Sequence, residues 1–99
     1  MATKYKGNKS NNSATGTSGQ RNEMFGLAGS DHLTGADKDD RIEGGTGNDT
    51  LSGLAGKDKL YGGLGADSIT AGDDNDFAYG GGGNDTMLGG NGIDNVFGD

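Results

Sequence analysis

Aspartate recurs every nine residues over most of this 99-residue chain, at Asp31, Asp40, Asp49, Asp58, Asp67, Asp76, Asp85 and Asp94. Glycine-rich segments precede them, most fully GGTGND at 44–49, GGLGAD at 62–67 and GGGGND at 80–85. Carboxylates and main-chain carbonyls are hard oxygen donors. With no sulfur or nitrogen ligand beside them, their chemistry is the binding of a hard divalent cation, and a flexible loop favours Ca²⁺. Mg²⁺ keeps its water and fits a carbonyl cage poorly. The absence of cysteine excludes a disulfide framework, a zinc-thiolate site and thiol catalysis. His32 is the only histidine and has no partner motif, so it reads as a surface residue rather than a catalytic base. The even spacing of the acids belongs to a repeat, and no nucleophile–base pair is visible. The chain therefore reads as a binding module, not an enzyme. An EF-hand is rejected: Asp37-x-Asp39 begins one, but Arg41 stands at the fifth place and no glycine follows.

The elements that position these acids follow from the repeat. From Gly26 the sequence divides into GLAGSDHLT, GADKDDRIE, GGTGNDTLS, GLAGKDKLY, GGLGADSIT, AGDDNDFAY, GGGGNDTML and GGNGIDNVF. The eighth position is Leu33, Ile42, Leu51, Leu60, Ile69, Ala78, Met87 and Val96. Glycines early in each nonamer allow a tight turn with converging carbonyls. The last three residues favour extended structure, with position eight on one face and seven and nine on the other. One nonamer is thus a turn plus a short strand carrying a single inward apolar residue. Two nonamers make a flattened coil, and stacked coils make an all-β, right-handed parallel β-roll (a β-solenoid) of about four two-repeat coils. Upstream, TSGQRNEMF keeps Asn22 at the sixth position and Met24 at the eighth, as a degenerate first repeat would.

Stacking creates a charge problem. Asp31, Asp49, Asp67 and Asp85 form one column, and Asp40, Asp58, Asp76 and Asp94 the other. Carboxylates about 4.8 Å apart repel by about 0.9 kcal/mol even at the dielectric of bulk water, and several-fold more at an effective value of 20. Cations between successive coils reverse that sign. Eight turns taken two apart leave room for about six ions.

Composition sharpens the picture. Glycine supplies 23 residues, while Leu, Ile, Val and Phe together supply only 14, too few for an ordinary core. Such a chain with a net charge of −7 reads as disordered without metal. No run of about 18 apolar residues offers a membrane span, and the opening MATKYKGNKS lacks the apolar run of a secretory signal. The acidity argues against nucleic acid. Charge is uneven: the first 25 residues carry Lys4, Lys6, Lys9 and Arg21 against Glu23 alone. Residues 1–22 read as a flexible basic N-terminal extension, and residues 23–99 as the roll.

The nonamers resemble a known family. G-G-x-G-x-D-x-U-x, with U large and apolar, is the calcium-binding repeat of the RTX (repeats-in-toxin, hemolysin-type) proteins, and GGTGNDTLS, GGLGADSIT and GGGGNDTML match it fully. The resemblance implies a parallel β-roll with ions between a turn and the turn two repeats later. It implies ligands from backbone oxygens and the Asp carboxylate. Carried over, these are Gly44, Gly45, Thr46, Gly47 and Asp49; Gly62, Gly63, Leu64, Gly65 and Asp67; Gly80, Gly81, Gly82, Gly83 and Asp85; and Gly89, Gly90, Asn91, Gly92 and Asp94. Weaker turns end at Asp31, Asp40, Asp58 and Asp76. There Lys38 and Asp74 replace fourth-position glycines, Leu27 and Leu54 replace second-position ones, and Lys57 sits beside Asp58. Two classes of site are expected, tighter on the Asp49 side. The resemblance also implies an extracellular protein, exported by a one-step (type I) bacterial route and folding when it meets calcium.

The outward strand positions offer a second reading. Tyr61, Tyr79 and Phe97 would form an aromatic column, either stabilising the sheet or, with Arg41 and Lys59, binding an acidic polysaccharide or a protein partner. The last coil leaves a strand edge, which invites end-to-end self-association.

Overall fold

The structure is a computed structural model that describes residues 2–90 and 95–97. Every element assigned among them is a strand. One parallel sheet runs β1 (Ala2–Lys6), β3 (Arg21–Phe25), β5 (Arg41–Thr46), β7 (Lys59–Leu64), β9 (Phe77–Tyr79) and β11 (Asn95–Phe97). The facing sheet runs β2 (Ser13–Thr15), β4 (His32–Thr34), β6 (Thr50–Ser52), β8 (Ser68–Thr70) and β10 (Thr86–Leu88). The chain alternates between the sheets, so the product is a parallel β-solenoid of about five coils. Its smallest extent is 13 Å, the thickness of two sheets packed face to face.

Ile42 pairs with Leu60 and Leu51 with Ile69, so the eighth positions stack directly. Met24, Leu33, Ile42, Leu51, Leu60, Ile69 and Ala78 are buried to about 1 % exposure or less, with Tyr5, Ala14 and Met87 packed against them. A fully buried side chain of this kind contributes about 1.5–3 kcal/mol. One per nonamer is a thin core, and the fold leans on its ladder hydrogen bonds and turns.

The first coil corrects the sequence reading. Residues 2–15 are not an extension: β1 pairs with β3 through Tyr5↔Met24, and β2 pairs with β4 through Ala14↔Leu33. This adds a fifth coil to the four expected. The reason it was hidden is a single extra residue. Later coils repeat at 18 residues, but Asn12 reaches Asp31 across 19. The extra residue lies in the turn between Gly16 and Asn22, which makes GTSGQRNEMF a decamer and throws GNKSNNSAT out of frame. Within its own frame, GNKSNNSAT has glycine first, Asn12 sixth and Ala14 eighth. Lys4 and Lys6 lie on the outermost strand, where charge discourages further strand pairing.

Candidate metal centre

Each turn ends at its aspartate, and the carboxylate faces back into the turn. One oxygen is used by the neighbouring coil. The backbone N–H of Asp31 donates to Asp49 Oδ1 at 2.8 Å, Asp49 N–H to Asp67 Oδ1 at 2.8 Å, and Asp67 N–H to Asp85 Oδ1 at 2.9 Å. In the other column Asp40 N–H donates to Asp58 Oδ1 and Asp58 N–H to Asp76 Oδ1, both at 2.8 Å. The columns read from sequence are therefore physical ladders. Each aspartate is locked to the next by main chain.

The second oxygen is different. Oδ2 of Asp31, Asp49, Asp58, Asp67 and Asp85 is buried and has no hydrogen-bond partner. A buried carboxylate oxygen left unpaired is costly, and a hydrogen-bond donor or a cation relieves that cost. The first glycine of the turn leaves the room for it. A methyl on Gly62 would stand 2.5 Å from Asp67 Oδ2 and 2.8 Å from the Gly80 carbonyl oxygen. Gly62 does not need left-handed backbone; it is there for space. The same pairing of an aspartate Oδ2 with a carbonyl of the next coil occurs at Gly26, Gly35, Gly44 and Gly53. Around these cradles Gly63 and Gly65 take φ of 93° and 113°, with their missing Cβ atoms facing the Gly45 and Gly47 carbonyls. Gly45, Gly47, Gly81, Gly83 and Gly90 repeat that backbone. Thr46, Leu64 and Gly82 lie at the outer bend, and Leu64 is 63 % exposed, so any ligand from them is main chain.

Among the described residues no three carboxylates or histidines converge as a metal cluster. A cradle instead combines an aspartate oxygen with main-chain carbonyls. That donor set fits a hard cation of flexible coordination, as Ca²⁺ is.

Electrostatics agree. Burial pushes the Asp58 carboxyl up to about 8, and the charges of Asp40 and Asp76 add to the effect against one backbone N–H. Burial likewise raises Asp49 to about 6, with Asp67 and Asp31 contributing, and raises Asp67. Without a cation these groups resist ionisation.

The turns are not equivalent, and the sequence ranked them only in part. Leu27 and Leu54 keep the left-handed backbone of the glycines they replace, at φ 74° and 68°. The Ala36–Lys38 turn does not. There the Ala36 N–H donates to Asp40 Oδ2 at 2.8 Å, so both oxygens of Asp40 are taken by protein. At the first position of the next turn in that column but one, Ala71 puts a methyl where the intact cradles have none. Gly89 and Gly90 are in place, whereas Asn91, Gly92 and Asp94 lie outside the described residues. His32 is exposed on the outer face.

The backbone register aligns Phe97 with Tyr79, as the expected aromatic column requires. Tyr61 and Tyr79 are aligned in register, yet the close ring pair is diagonal: Tyr61 and Phe77 lie 5.9 Å apart at 48°. The Arg41 guanidinium sits 5.6 Å over the Tyr61 ring and pairs with Glu43 at 2.8 Å. The Phe97 side chain lies outside the described residues.

Compared with known families, the chain matches the model of the RTX calcium-binding nonapeptide repeat (4 copies) over residues 25–60, 34–69 and 61–96. No curated protein and no solved structure matches it.

Proposed function

Because the chain belongs to the RTX calcium-binding nonapeptide repeat family, we propose that its turns bind calcium between successive coils and that this binding and folding are one event. The observation that carries the reading is the set of buried, partnerless Oδ2 atoms facing glycine cradles. The carboxylates of Asp31, Asp49, Asp67 and Asp85, with carbonyls of residues 44–47, 62–65 and 80–83, would hold the ions on one side. Asp58 would hold one on the other. The satisfied Asp40 and the Ala71 methyl make their turns poor sites, so about four ions fit better than six. When bound, the ion neutralises the column and ties adjacent coils together. The cradles need two stacked coils, so they exist only in the folded chain, and binding free energy becomes folding free energy. Family membership supports work outside the cell, where calcium is abundant, after export of the unfolded chain. No catalytic role is proposed.

Far-ultraviolet circular dichroism tests the coupling. The chain is expected to be largely unstructured in chelator at neutral pH, β-rich with Ca²⁺ and little changed by Mg²⁺. A β-rich spectrum already present in chelator would falsify it.

A second reading concerns the outer face of the longer sheet. A groove of about 440 Å³ gathers Arg21, Arg41, Lys57 and Lys59, with Glu23, Asp39 and Asp40 among them. One of its lining residues, Arg41, also lies over the Tyr61 ring. Four cations beside an aromatic surface, on a chain of net charge −7, suit an acidic polysaccharide whose rings stack while its carboxylates meet the cations. Calcium-loaded protein is expected to bind hyaluronate, with at least about tenfold weaker binding for Tyr61→Ala with Lys59→Ala. Binding that survives the double substitution removes this reading.

A further inference from the structure

The first coil has the cradles but not the aspartates. A methyl on Gly7 would stand 2.8 Å from Asn12 Nδ2 and 2.5 Å from the Gly26 carbonyl oxygen. One on Gly16 would stand 2.5 Å from Asn22 Nδ2. These are the positions that Asp Oδ2 takes in later turns, so an amide donor occupies the place of the orphan acceptor. Its hydrogens go to carbonyls of its own turn and to a carboxylate of the next coil. Asn22 Nδ2 donates to Asp40 Oδ1 at 2.8 Å and to the turn carbonyls of Gln20 and Thr17 at 3.2 and 3.4 Å. Asn12 Nδ2 donates to the Ser10 carbonyl at 2.8 Å and to Asp31 Oδ1 at 3.2 Å. The amide of Asn22 cannot be reversed without loss, because its Oδ1 accepts the Thr17 N–H at 3.0 Å. Asn22 is fully buried.

We propose that the side-chain amides of Asn12 and Asn22 replace the cation in the first coil, making residues 2–25 a metal-free cap against which the calcium-dependent coils assemble. Four further features support it. The backbone N–H groups of Asn12 and Asn22 still donate to Asp31 and Asp40 at 2.8 Å, so the carboxylate ladder continues into the cap unbroken. The first carboxylate of each column faces a neutral amide on its N-terminal side in place of a second carboxylate, which removes one repulsive contact per column. On the Asp40 side the Ala36 N–H completes the arrangement, and no oxygen of that carboxylate is left for a metal. The turns of the cap also lack the left-handed backbone that the later cradles share at their second position.

The inference rests on the calcium reading above, and the test separates the two. In the full chain, Asn12→Asp with Asn22→Asp replaces each amide donor by a carboxylate oxygen facing the same turn carbonyls. The calcium midpoint for folding is expected to rise by roughly tenfold or more, as unpaired buried groups require, with no added ion per chain by calorimetry. Failure of this variant to fold even at saturating calcium supports the cap equally, since an aspartate that could take an ion there would be rescued by it. The uncharged pair Asn12→Ala with Asn22→Ala is expected to raise the midpoint too, by several-fold, with the same number of ions. An unchanged midpoint in the alanine variant, or extra bound calcium at an unchanged midpoint in the aspartate variant, overturns the proposal. Wild-type chain that ignores calcium altogether would instead sink the underlying reading.

Discussion

Asp67→Asn is expected to act in opposite directions with and without calcium. Asp67 sits in the middle of its column, its Oδ1 accepting the Asp49 N–H and its own N–H donating to Asp85. Asparagine keeps both bonds. In chelator the substitution removes two like-charge contacts, each about 0.9 kcal/mol at the dielectric of water and larger in a partly buried site. It also offers an amide to the turn carbonyls, as Asn22 does. The variant should therefore fold at lower osmolyte concentration than wild type when an excluded osmolyte drives folding without metal. With calcium the sign reverses. The orphan oxygen that faces the cradle is lost, and the calcium midpoint should rise by about tenfold or more, a loss on the order of 1.4 kcal/mol at that midpoint. Equal destabilisation under both conditions would mean that Asp67 is only a structural acceptor.

Acid should fold the calcium-free chain in part. Asp58 is pushed up to about 8 and Asp49 to about 6, against an ordinary value of 3.8, with burial the leading cause for both. A carboxyl whose pKa is higher in the folded state binds more protons there than in the unfolded state. Its contribution to stability is therefore complete below the unfolded value and is lost as pH rises through the folded value. The window runs from about pH 4 to pH 8 for Asp58 and from about 4 to 6 for Asp49. In chelator, β-structure by circular dichroism is expected to grow as pH falls across that window. Calcium must displace the same protons, so its affinity should climb with pH, and titrations in buffers of different ionisation enthalpy should show proton release. Calcium-free chain that gains structure as pH rises would contradict the assignment.

Much of this molecule is written in its nine-residue period. Strand alternation places Leu33, Ile42, Leu51 and Leu60 inward, and the structure finds them at 1 % exposure or less. Two nonamers per coil put Asp49, Asp67 and Asp85 in one ladder, as their hydrogen bonds show. Both results follow from local geometry repeated without interruption. The first coil shows the limit of that reasoning. Its inward residues and its asparagines obey the same rule, but one inserted residue between Gly16 and Asn22 shifts the frame, and the polar composition of residues 1–22 then reads as solvated tail. Pairing depends on what lies one coil away in space, which an out-of-frame period conceals.

The candidate sites divide in the same way. Which residues carry the carboxylates, and that they stack, could be read from the chain, because both depend only on spacing. Tertiary structure alone decided which carboxylate oxygens lack a partner. Asp40 and Asp58 occupy the same place in their nonamers, yet the Ala36 N–H reaches Oδ2 of Asp40 and no donor reaches Oδ2 of Asp58. The difference lies in the turn backbone, where Ala36 and Lys38 leave the left-handed region that Leu54 and Gly56 keep. A carboxylate's need for a cation is set by the donors that reach it, and those donors are placed by the backbone of its turn and of the coil beside it.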